Sequence, residues 1–424
     1  MAAPTLDDAG RFTLMSLDRF GNPHDDQGVF AELLTTIADT RDPVTDVFVL
    51  SHGWQNDTRT ATAVYGEWIR AMNDHFRTRE SELRERRTGF RALVVGIHWP
   101  SASWENPAGL VSFEQEVASY TALIGDADAQ AELRPLLAEA NAHPDATRLS
   151  SANEERLLAL DARSGLGVGE VGAVPGDDRA AFEPRRIFAD FRKSLWYDRV
   201  GSEPMRSILA PLWVTSFWTM KRRAWQVGRT GVHRLLDEMR AAGAGAPIRF
   251  HLVGHSFGAI VCAGAVQGDG STPPTPVHSL TLLQGALSLW AFAPRIPDTD
   301  RSGFLHPVLA DGTVAGPVIT TQSRHDRALK WYFRMAATLG RDNRLAGRLP
   351  RYGAVGTYGL AGLEHTVSDT VLPGRLRYDF RAGNRYNLNS DAVIRGRRFS
   401  VQGSHSDLTH PELAAAVWEA ATRT

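Results

Sequence analysis

Short apolar runs, each followed by polar or glycine-containing residues, recur along the chain. Runs with the length and the β-branched content of buried strands occur at 12–17, 46–50, 92–98, 248–253, 279–283 and 317–321. Between some of them, apolar residues recur every three to four positions, as on one face of a helix. Residues 57–77 are an example, with Asp57 or Thr58 as the predicted N-cap. Strands that alternate with helices at this spacing predict βαβ units and a parallel sheet.

The alternation stops between residues 101 and 211. This stretch has helix-like segments at 113–124, 128–140 and 153–162, separated by links rich in Gly, Pro and Asp, and it shows no strand pattern. A long helix is then predicted over 213–239, and a last helix over 411–421. We therefore expect one α/β domain over residues 1–424, with a helical, lid-like insertion at about 101–211.

Composition narrows the classes of function. Of the 424 residues, 43% are hydrophobic and 22% are charged, with a net charge of −1, which does not favour a general nucleic-acid or membrane-surface binder. The single cysteine, Cys262, excludes an internal disulfide and a cysteine-based zinc site. The longest apolar stretch, 280–293, is interrupted by Gln284 and is too short to span a bilayer. No signal peptide is evident, so we expect a cytoplasmic protein without stable membrane insertion.

The most informative motif is Gly254-His255-Ser256-Phe257-Gly258. An apolar strand leads into it and a helix of small residues follows, which is the context of a nucleophile elbow. In such a turn the serine Oγ is held above the sheet edge, and the two glycines allow the strand and the helix to approach closely. The pentapeptide is short enough to arise by chance, so its meaning depends on partner residues elsewhere.

A serine nucleophile needs an acid and a base, which follow it in the chain in this kind of fold. Asp326 is the predicted acid, because it lies in a loop after the strand at 317–321, at the edge where open α/β sheets collect their active sites. An N-cap role, or an ion pair with Arg324 or Arg327, is the alternative. Asp298 and Asp300 are the fallback acids.

The predicted base is His405, in a loop that begins with Gly403 before the last helix. His410 directly precedes Pro411 and is better explained as a helix-start residue. A metal site made of His405, Asp407 and His410 is the weaker reading, because three ligands in one loop without cysteine match zinc spacings poorly. No cofactor-binding motif stands out, and we expect neither a cofactor nor a metal.

The segment Ser51-His52-Gly53-Trp54 ends another predicted strand. The loop at this place usually donates one backbone N–H to the developing oxyanion, and the residue after the nucleophile donates the other. The predicted oxyanion hole is therefore formed by the N–H groups of Trp54 and Phe257, with His52 shaping the loop. The alternative is a simple turn with a buried tryptophan. His255 is expected to pack and hydrogen-bond at the top of the sheet. Five further tryptophans could line an acyl pocket or pack in the core: Trp99, Trp104, Trp213, Trp218 and Trp331.

In these segments the chain resembles the α/β-hydrolase superfamily, and most of all a poorly characterised bacterial branch of it. The resemblance is carried by residues 47–56, 96–101, 217–228, 251–258, 319–329 and 403–412. It implies a three-layer α/β/α fold with a mostly parallel eight-stranded sheet, Ser256 as nucleophile, Asp326 as acid and His405 as base. The insertion precedes the elbow here, whereas lids of this superfamily commonly follow a later strand. Analogies to the substrates of particular lipases are therefore unsafe.

We accordingly expect a serine hydrolase of the carboxylesterase or lipase type, which acts on a small-molecule ester through an acyl-enzyme intermediate. Two alternatives share the fold. One is an acyltransferase that uses the same triad, and the other is an inactive hydrolase fold that serves as a binding module. The sequence specifies neither the substrate nor the oligomeric state.

Overall fold

The structure is a computed structural model that describes residues 12–24, 28–87, 89–101, 112–169, 171–197, 206–243, 247–336, 344–345, 349–396 and 404–422. Ten strands are present in this part of the chain: β1 (Thr13–Ser16), β2 (Asp46–Ser51), β3 (Ala92–His98), β4 (Arg249–His255), β5 (Ser279–Leu283), β6 (Val318–Gln322), β7 (Arg344–Leu345), β8 (Leu349–Pro350), β9 (Thr366–Thr370) and β10 (Arg385–Asn389). The last two strands of the large sheet, β9 and β10, are not predicted by the sequence pattern.

Eight of these strands form one sheet in the order β1-β3-β2-β4-β5-β6-β10-β9, and every pairing in it is parallel. The sheet is thus eight-stranded, as expected, and parallel throughout. Ser51 pairs with Gly254, and His255 pairs with Leu283, so β2, β4 and β5 end at the same level. Because the carboxyl ends of parallel strands share one edge, the loops after these strands converge there.

The described helices are α1 (Val29–Ile37), α2 (Thr58–Arg86), α3 (Phe113–Ile124), α4 (Gln130–Ala142), α5 (Ser151–Arg163), α6 (Pro184–Tyr197), α7 (Ala210–Val227), α8 (His233–Ala242), α9 (Gly258–Gln267), α10 (His306–Ala310), α11 (Arg327–Ala336), α12 (Val355–Tyr358) and α13 (Pro411–Thr422). Asp57 caps α2 by accepting from the Thr60 backbone N–H at 2.7 Å, as predicted. Among the described helices, none has the length and hydropathy to cross a membrane.

Helices flank both faces of the sheet, because alternate residues of each buried strand point to opposite sides. Val47 and Val49 of β2 belong to the core that packs on α7, α8 and α9. Phe48 and Leu50 belong to the core that packs on α2 and α13. The sheet is therefore buried on both faces, as is usual for a parallel sheet.

Between β3 and β4, the described residues form helices and contain no strand. The predicted helix at 113–124 is confirmed, whereas α6 is not predicted by the sequence pattern. The single helix expected over 213–239 is wrong in detail: α7 is joined to α8 by a π-helical turn over Gly228–Val232. Parts of the 101–211 segment lie outside the described residues, as do Trp104 and Gly403.

Candidate active site

Ser256 lies in the tight turn between β4 and α9, with a left-handed φ of 55°. Serine rarely adopts this conformation, so the surroundings must hold it. The Ser256 N–H donates to the Leu283 carbonyl at 3.0 Å, and the Ser256 carbonyl accepts from the Ala286 N–H at 3.0 Å. Gly258 starts α9 where a Cβ atom would overlap the carbonyl oxygens of Ser51 and His52. This close approach explains the glycine.

The structure brings the three predicted triad side chains into one hydrogen-bonded chain. His405 Nε2 lies 2.8 Å from Ser256 Oγ, and His405 Nδ1 lies 2.7 Å from Asp326 Oδ2. Since an ionised carboxylate only accepts, the Nδ1–H donates to Asp326 and Nε2 is left to accept from the serine hydroxyl. The three side chains come from the ends of β4 and β6 and from the loop before α13. Such a chain is the arrangement that a serine nucleophile, a general base and an orienting acid would require.

Asp326 is fully buried, at 0% exposure, and has three hydrogen-bond donors. Its Oδ2 accepts from His405 and from the Gln284 Nε2 at 3.0 Å, and its Oδ1 accepts from the Leu329 N–H at 3.0 Å. Asp326 therefore also caps α11, so the N-cap alternative coexists with the triad contact. The Arg324 Nε instead lies 3.4 Å from Asp391 Oδ2. The fallback acids, Asp298 and Asp300, are exposed on a different loop.

His255 hydrogen-bonds to the backbone of His405. The His255 Nε2 lies 2.9 Å from the His405 carbonyl oxygen, and the two rings are 4.8 Å apart between centroids. Burial lowers the pKa of His255 well below its ordinary value, so its ring is neutral and its Nε2–H donates to that carbonyl. This matches the packing and hydrogen-bonding role expected for His255.

His410 is directed away from the triad. Its Nε2 lies 2.9 Å from Asp407 Oδ1, and its carbonyl accepts from the first turn of α13, as expected for a helix-start residue. Asp407 also accepts from the backbone N–H groups of Arg395 and Gly396. Within the described ranges, no group of three or more His, Cys, Asp or Glu side chains is placed to hold a metal ion.

The loop after β2 passes directly over Ser256. A Cβ atom on Gly53 would lie 2.9 Å from the Ser256 Cβ. Trp54 follows in this loop, and Phe257 precedes the first residue of α9, so the Phe257 N–H lies at the positive end of that helix. In the described part of the chain, neither the Trp54 N–H nor the Phe257 N–H has a protein acceptor. Both predicted oxyanion donors thus lack an acceptor among the residues that the structure describes.

His52 shapes this loop and is unsuited to act as a base. Burial lowers its pKa to about 3, and its Nδ1 bonds to the Gly53 carbonyl at 2.8 Å. The His52 backbone N–H donates to the Tyr65 hydroxyl at 2.8 Å, and that hydroxyl donates to the Ile97 carbonyl at 2.6 Å. Tyr65 thereby ties the loop to the end of β3.

An aromatic cluster lies beside Ser256, although its members differ from most of the tryptophans considered above. The Trp54 ring contacts Phe217 of α7, Phe257 and Tyr332 of α11, with centroid distances of 5.8, 5.7 and 5.3 Å. The Phe217 and Tyr332 rings stack at 4.6 Å. Trp99, Trp213 and Trp218 are buried core residues, whereas Trp331 is partly buried.

Sequence reasoning missed Gln284 as a site residue. The only signal was that Gln284 interrupts an apolar run immediately after a strand. A polar residue in such a run, at the carboxyl edge of a parallel sheet, is a candidate partner for a buried charge.

A second set of the same residue types lies at the opposite edge of the sheet. The Ser279 Oγ is 2.9 Å from His251 Nδ1, and His251 Nε2 is 3.0 Å from Asp46 Oδ1. Arg87 and Arg249 also donate to Asp46, and all three members of the set are buried at 2% exposure or less. Ser279 lies in strand β5 itself and not in a turn at its carboxyl end, so its hydroxyl is not presented to a substrate and the set is structural.

Comparison with protein-family models, with curated proteins and with solved structures found no match to this chain. The functional interpretation therefore depends on the geometry of the site.

Proposed function

We propose that this protein is a serine hydrolase of carboxylic esters with an α/β-hydrolase fold. The observation that carries the proposal is the hydrogen-bonded chain from Ser256 through His405 to Asp326, at 2.8 and 2.7 Å. It lies at the carboxyl edge of a parallel sheet, with two backbone N–H groups nearby that have no described protein acceptor. A binding module would have no need of a serine in a strained turn aligned with a histidine and a buried carboxylate.

In the first half of the reaction, the Ser256 Oγ attacks the ester carbonyl carbon while His405 Nε2 takes the hydroxyl proton. The carbonyl oxygen becomes an oxyanion, to which the Trp54 and Phe257 N–H groups donate; removing one such donor typically costs about 3–4 kcal/mol of transition-state stabilisation. The tetrahedral intermediate then collapses, the C–O bond to the alcohol breaks, and His405 gives its proton to the leaving alkoxide.

In the second half, His405 Nε2 takes a proton from water, and the hydroxide oxygen attacks the acyl carbon. Collapse releases the carboxylic acid and returns the proton from His405 to Ser256. Asp326 holds the imidazole in one tautomer and stabilises its charged form throughout.

The helical segment between β3 and β4 is proposed to cover the site. The ring centroids of Phe191 in α6 and Trp331 in α11 lie 6.2 Å apart, and α7 supplies Phe217 to the aromatic cluster. This cover limits the access of water and favours substrates with an apolar acyl group. Ser256 is only 5% exposed.

Acyl transfer is the second candidate, because an enclosed nucleophile favours an alcohol or thiol acceptor over bulk water. Hydrolysis in the presence of graded concentrations of a small alcohol distinguishes the two reactions. An acyltransferase gives more ester product than simple solvolysis of the acyl-enzyme would give.

The test of the proposed function is labelling with a fluorophosphonate probe, followed by mapping of the modified residue. We expect Ser256 to be labelled and the buried Ser279 to stay unlabelled. Ser256→Ala should abolish labelling and lower the rate on an activated short-chain ester by at least about 10⁴-fold. Ser271→Ala, in an exposed loop, is the matched control and should change neither. Full esterase activity in Ser256→Ala would overturn the proposal.

A further inference from the structure

Gln284 occupies the point where the nucleophile and the acid of the site meet. It follows β5 directly, and its neighbours hold the Ser256 backbone from both sides. The Leu283 carbonyl accepts from the Ser256 N–H, and the Ala286 N–H donates to the Ser256 carbonyl, each at 3.0 Å. These two bonds stabilise the left-handed turn that presents the serine Oγ. Any displacement of the chain at residue 284 therefore moves the nucleophile.

The side chain of Gln284 reaches the acid. Its Nε2 donates to Asp326 Oδ2 at 3.0 Å, which is the same oxygen that accepts from His405 Nδ1 at 2.7 Å. The Leu329 N–H binds the other carboxylate oxygen, Oδ1. The other donor to Oδ2 is the His405 ring, whose own orientation depends on this carboxylate. Leu329 and Gln284 together place a donor on each oxygen and so fix the plane of the carboxylate independently of the imidazole. Gln284 thus keeps Oδ2 directed at the imidazole.

Thr321 fixes which way the Gln284 amide points. The Thr321 Oγ1 accepts from the Gln284 backbone N–H at 2.9 Å and donates to the Gln284 Oε1 at 3.2 Å. Because Oε1 faces the threonine hydroxyl, the NH₂ group faces the carboxylate. Both residues are fully buried, so water does not compete for these bonds.

The backbone of Gln284 is also in the left-handed region, with a φ of 44°. Glycine or asparagine would adopt this conformation more readily. The contacts of the side chain with Asp326 and Thr321 explain why a glutamine occupies this position.

We propose that Gln284 is a positioning residue, which couples the orientation of Asp326 and His405 to that of Ser256. The inference rests on the proposed function, and it adds a fourth residue that acts on the reaction through Asp326. The amide contributes a neutral donor that orients the carboxylate without removing its charge.

The first test compares Gln284→Met, which keeps the side-chain length and removes the donor, with Gln267→Met. Gln267 is the matched control, because its amide accepts from Trp225 and donates to the Phe304 carbonyl, away from the site. For Gln284→Met, we expect kcat to fall at least about tenfold while KM changes less than twofold. Gln267→Met should change kcat and KM by less than twofold.

A double-mutant cycle shows whether the effect passes through Asp326. In an Asp326→Ala background, Gln284→Met should cause no further loss of kcat, because the group that it orients is gone. A multiplicative loss in the double variant would overturn the inference, as would an unchanged kcat in the single variant. If Gln284→Met folds poorly, Thr321→Val removes the hydroxyl that orients the amide and should lower kcat in the same direction.

A second readout needs no ester hydrolysis. In protein with ¹⁵N-labelled histidine, the downfield Nδ1 proton of His405 is the resonance that disappears in His405→Ala. We expect Gln284→Met to shift or broaden it, and Gln267→Met to leave it in place. An unchanged resonance in Gln284→Met contradicts the positioning role. Failure of the proposed function would appear separately, as absence of probe labelling at Ser256 in the wild-type protein.

Discussion

Gly53 illustrates how closely single residues determine this site. The loop after β2 runs so near Ser256 that Gly53 has no room for a side chain. The neighbouring Trp54 N–H is a proposed oxyanion donor, and donors of this kind act only within a narrow distance of the developing charge. A small displacement of the loop should therefore affect the transition state more than the folded state.

Gly53→Ala is expected to lower kcat at least about tenfold, because the new Cβ must displace either the loop or Ser256, with a smaller effect on KM. Steady-state kinetics on an activated ester measure this. The matched control is Gly66→Ala in α2, where a Cβ has room. That variant should keep its kcat and gain about 0.5–1 kcal/mol in free energy of unfolding. Equal kcat values for Gly53→Ala and the wild type would contradict the predicted place of the oxyanion hole.

The order of chemistry-bearing residues along the chain was sufficient to propose Ser256, Asp326 and His405. The structure places their side chains in contact, and their catalytic roles stay predictions. Gln284 could not be found in this way, because its importance depends on two contacts with residues distant in sequence, Asp326 and Thr321. His405 is favoured by its loop position and by the order of roles along the chain, and His410 is explained as a helix-start residue. His410 does lie at the start of α13.

Among the secondary-structure elements, the buried strands follow the sequence pattern most closely. β3 and β5 have the predicted bounds, and each is buried nearly throughout. β9 and β10 are different. β9 is a half-exposed edge strand of sequence Thr-Val-Ser-Asp-Thr, and β10 contains two asparagines. Strands of this composition carry little periodic signal. Their place in the sheet depends on pairing, of β10 with β6 and of β9 with β10.

At the same scale, α7 and α11 together form one wall of the site. Phe217 of α7 stacks on Tyr332 of α11, and both contact Trp54. The proposed function places the acyl group of the substrate against this wall. The helices between β3 and β4 would then select the substrate, whereas the sheet edge carries the reaction.

Phe217→Ala is expected to shift the preference towards larger acyl groups, because it opens space beside Trp54. The ratio of kcat/KM for long and short acyl esters should rise at least about threefold, while the free energy of unfolding falls by about 3–5 kcal/mol. An ester chain-length series and urea unfolding measure these two effects. Phe76→Ala, in the core on the other face of the sheet, serves as control and should destabilise the protein without changing the ratio. An unchanged ratio in Phe217→Ala would place the acyl group elsewhere.

For the molecule as a whole, buried neutral histidines contribute to the response to acid. Burial lowers the pKa of His52 to about 3 and that of His255 well below 6.5. The unfolded chain binds these protons near pH 6.5, whereas the folded chain does not. The contribution of these histidines to the free energy of unfolding therefore has its full value above pH 6.5. It falls progressively as the pH decreases from 6.5 towards about 3, because only the unfolded chain binds these protons there.

The free energy of unfolding should thus decrease below pH 6.5 by about 1.4 kcal/mol per pH unit for each such histidine. Urea unfolding between pH 7 and pH 4.5 measures the slope. His52→Asn should reduce the slope by the equivalent of one proton, although the variant is less stable at every pH. His143→Asn, at an exposed position, should leave the slope unchanged. A wild-type slope in His52→Asn would show that His52 is not held neutral.

The parallel pairing of β2 with β4 also constrains how the chain folds. These neighbours are separated in sequence by the whole helical segment, and the Arg249 side chain contacts Asp46 across 203 residues. His405 then joins Ser256 across another 149 residues. Contacts of such long range slow folding, because the loop must be closed before the contact stabilises anything. We therefore expect a fragment that begins after β2 not to react with a fluorophosphonate, although it contains Ser256, Asp326 and His405, because β4 lacks its partner strand β2 in it.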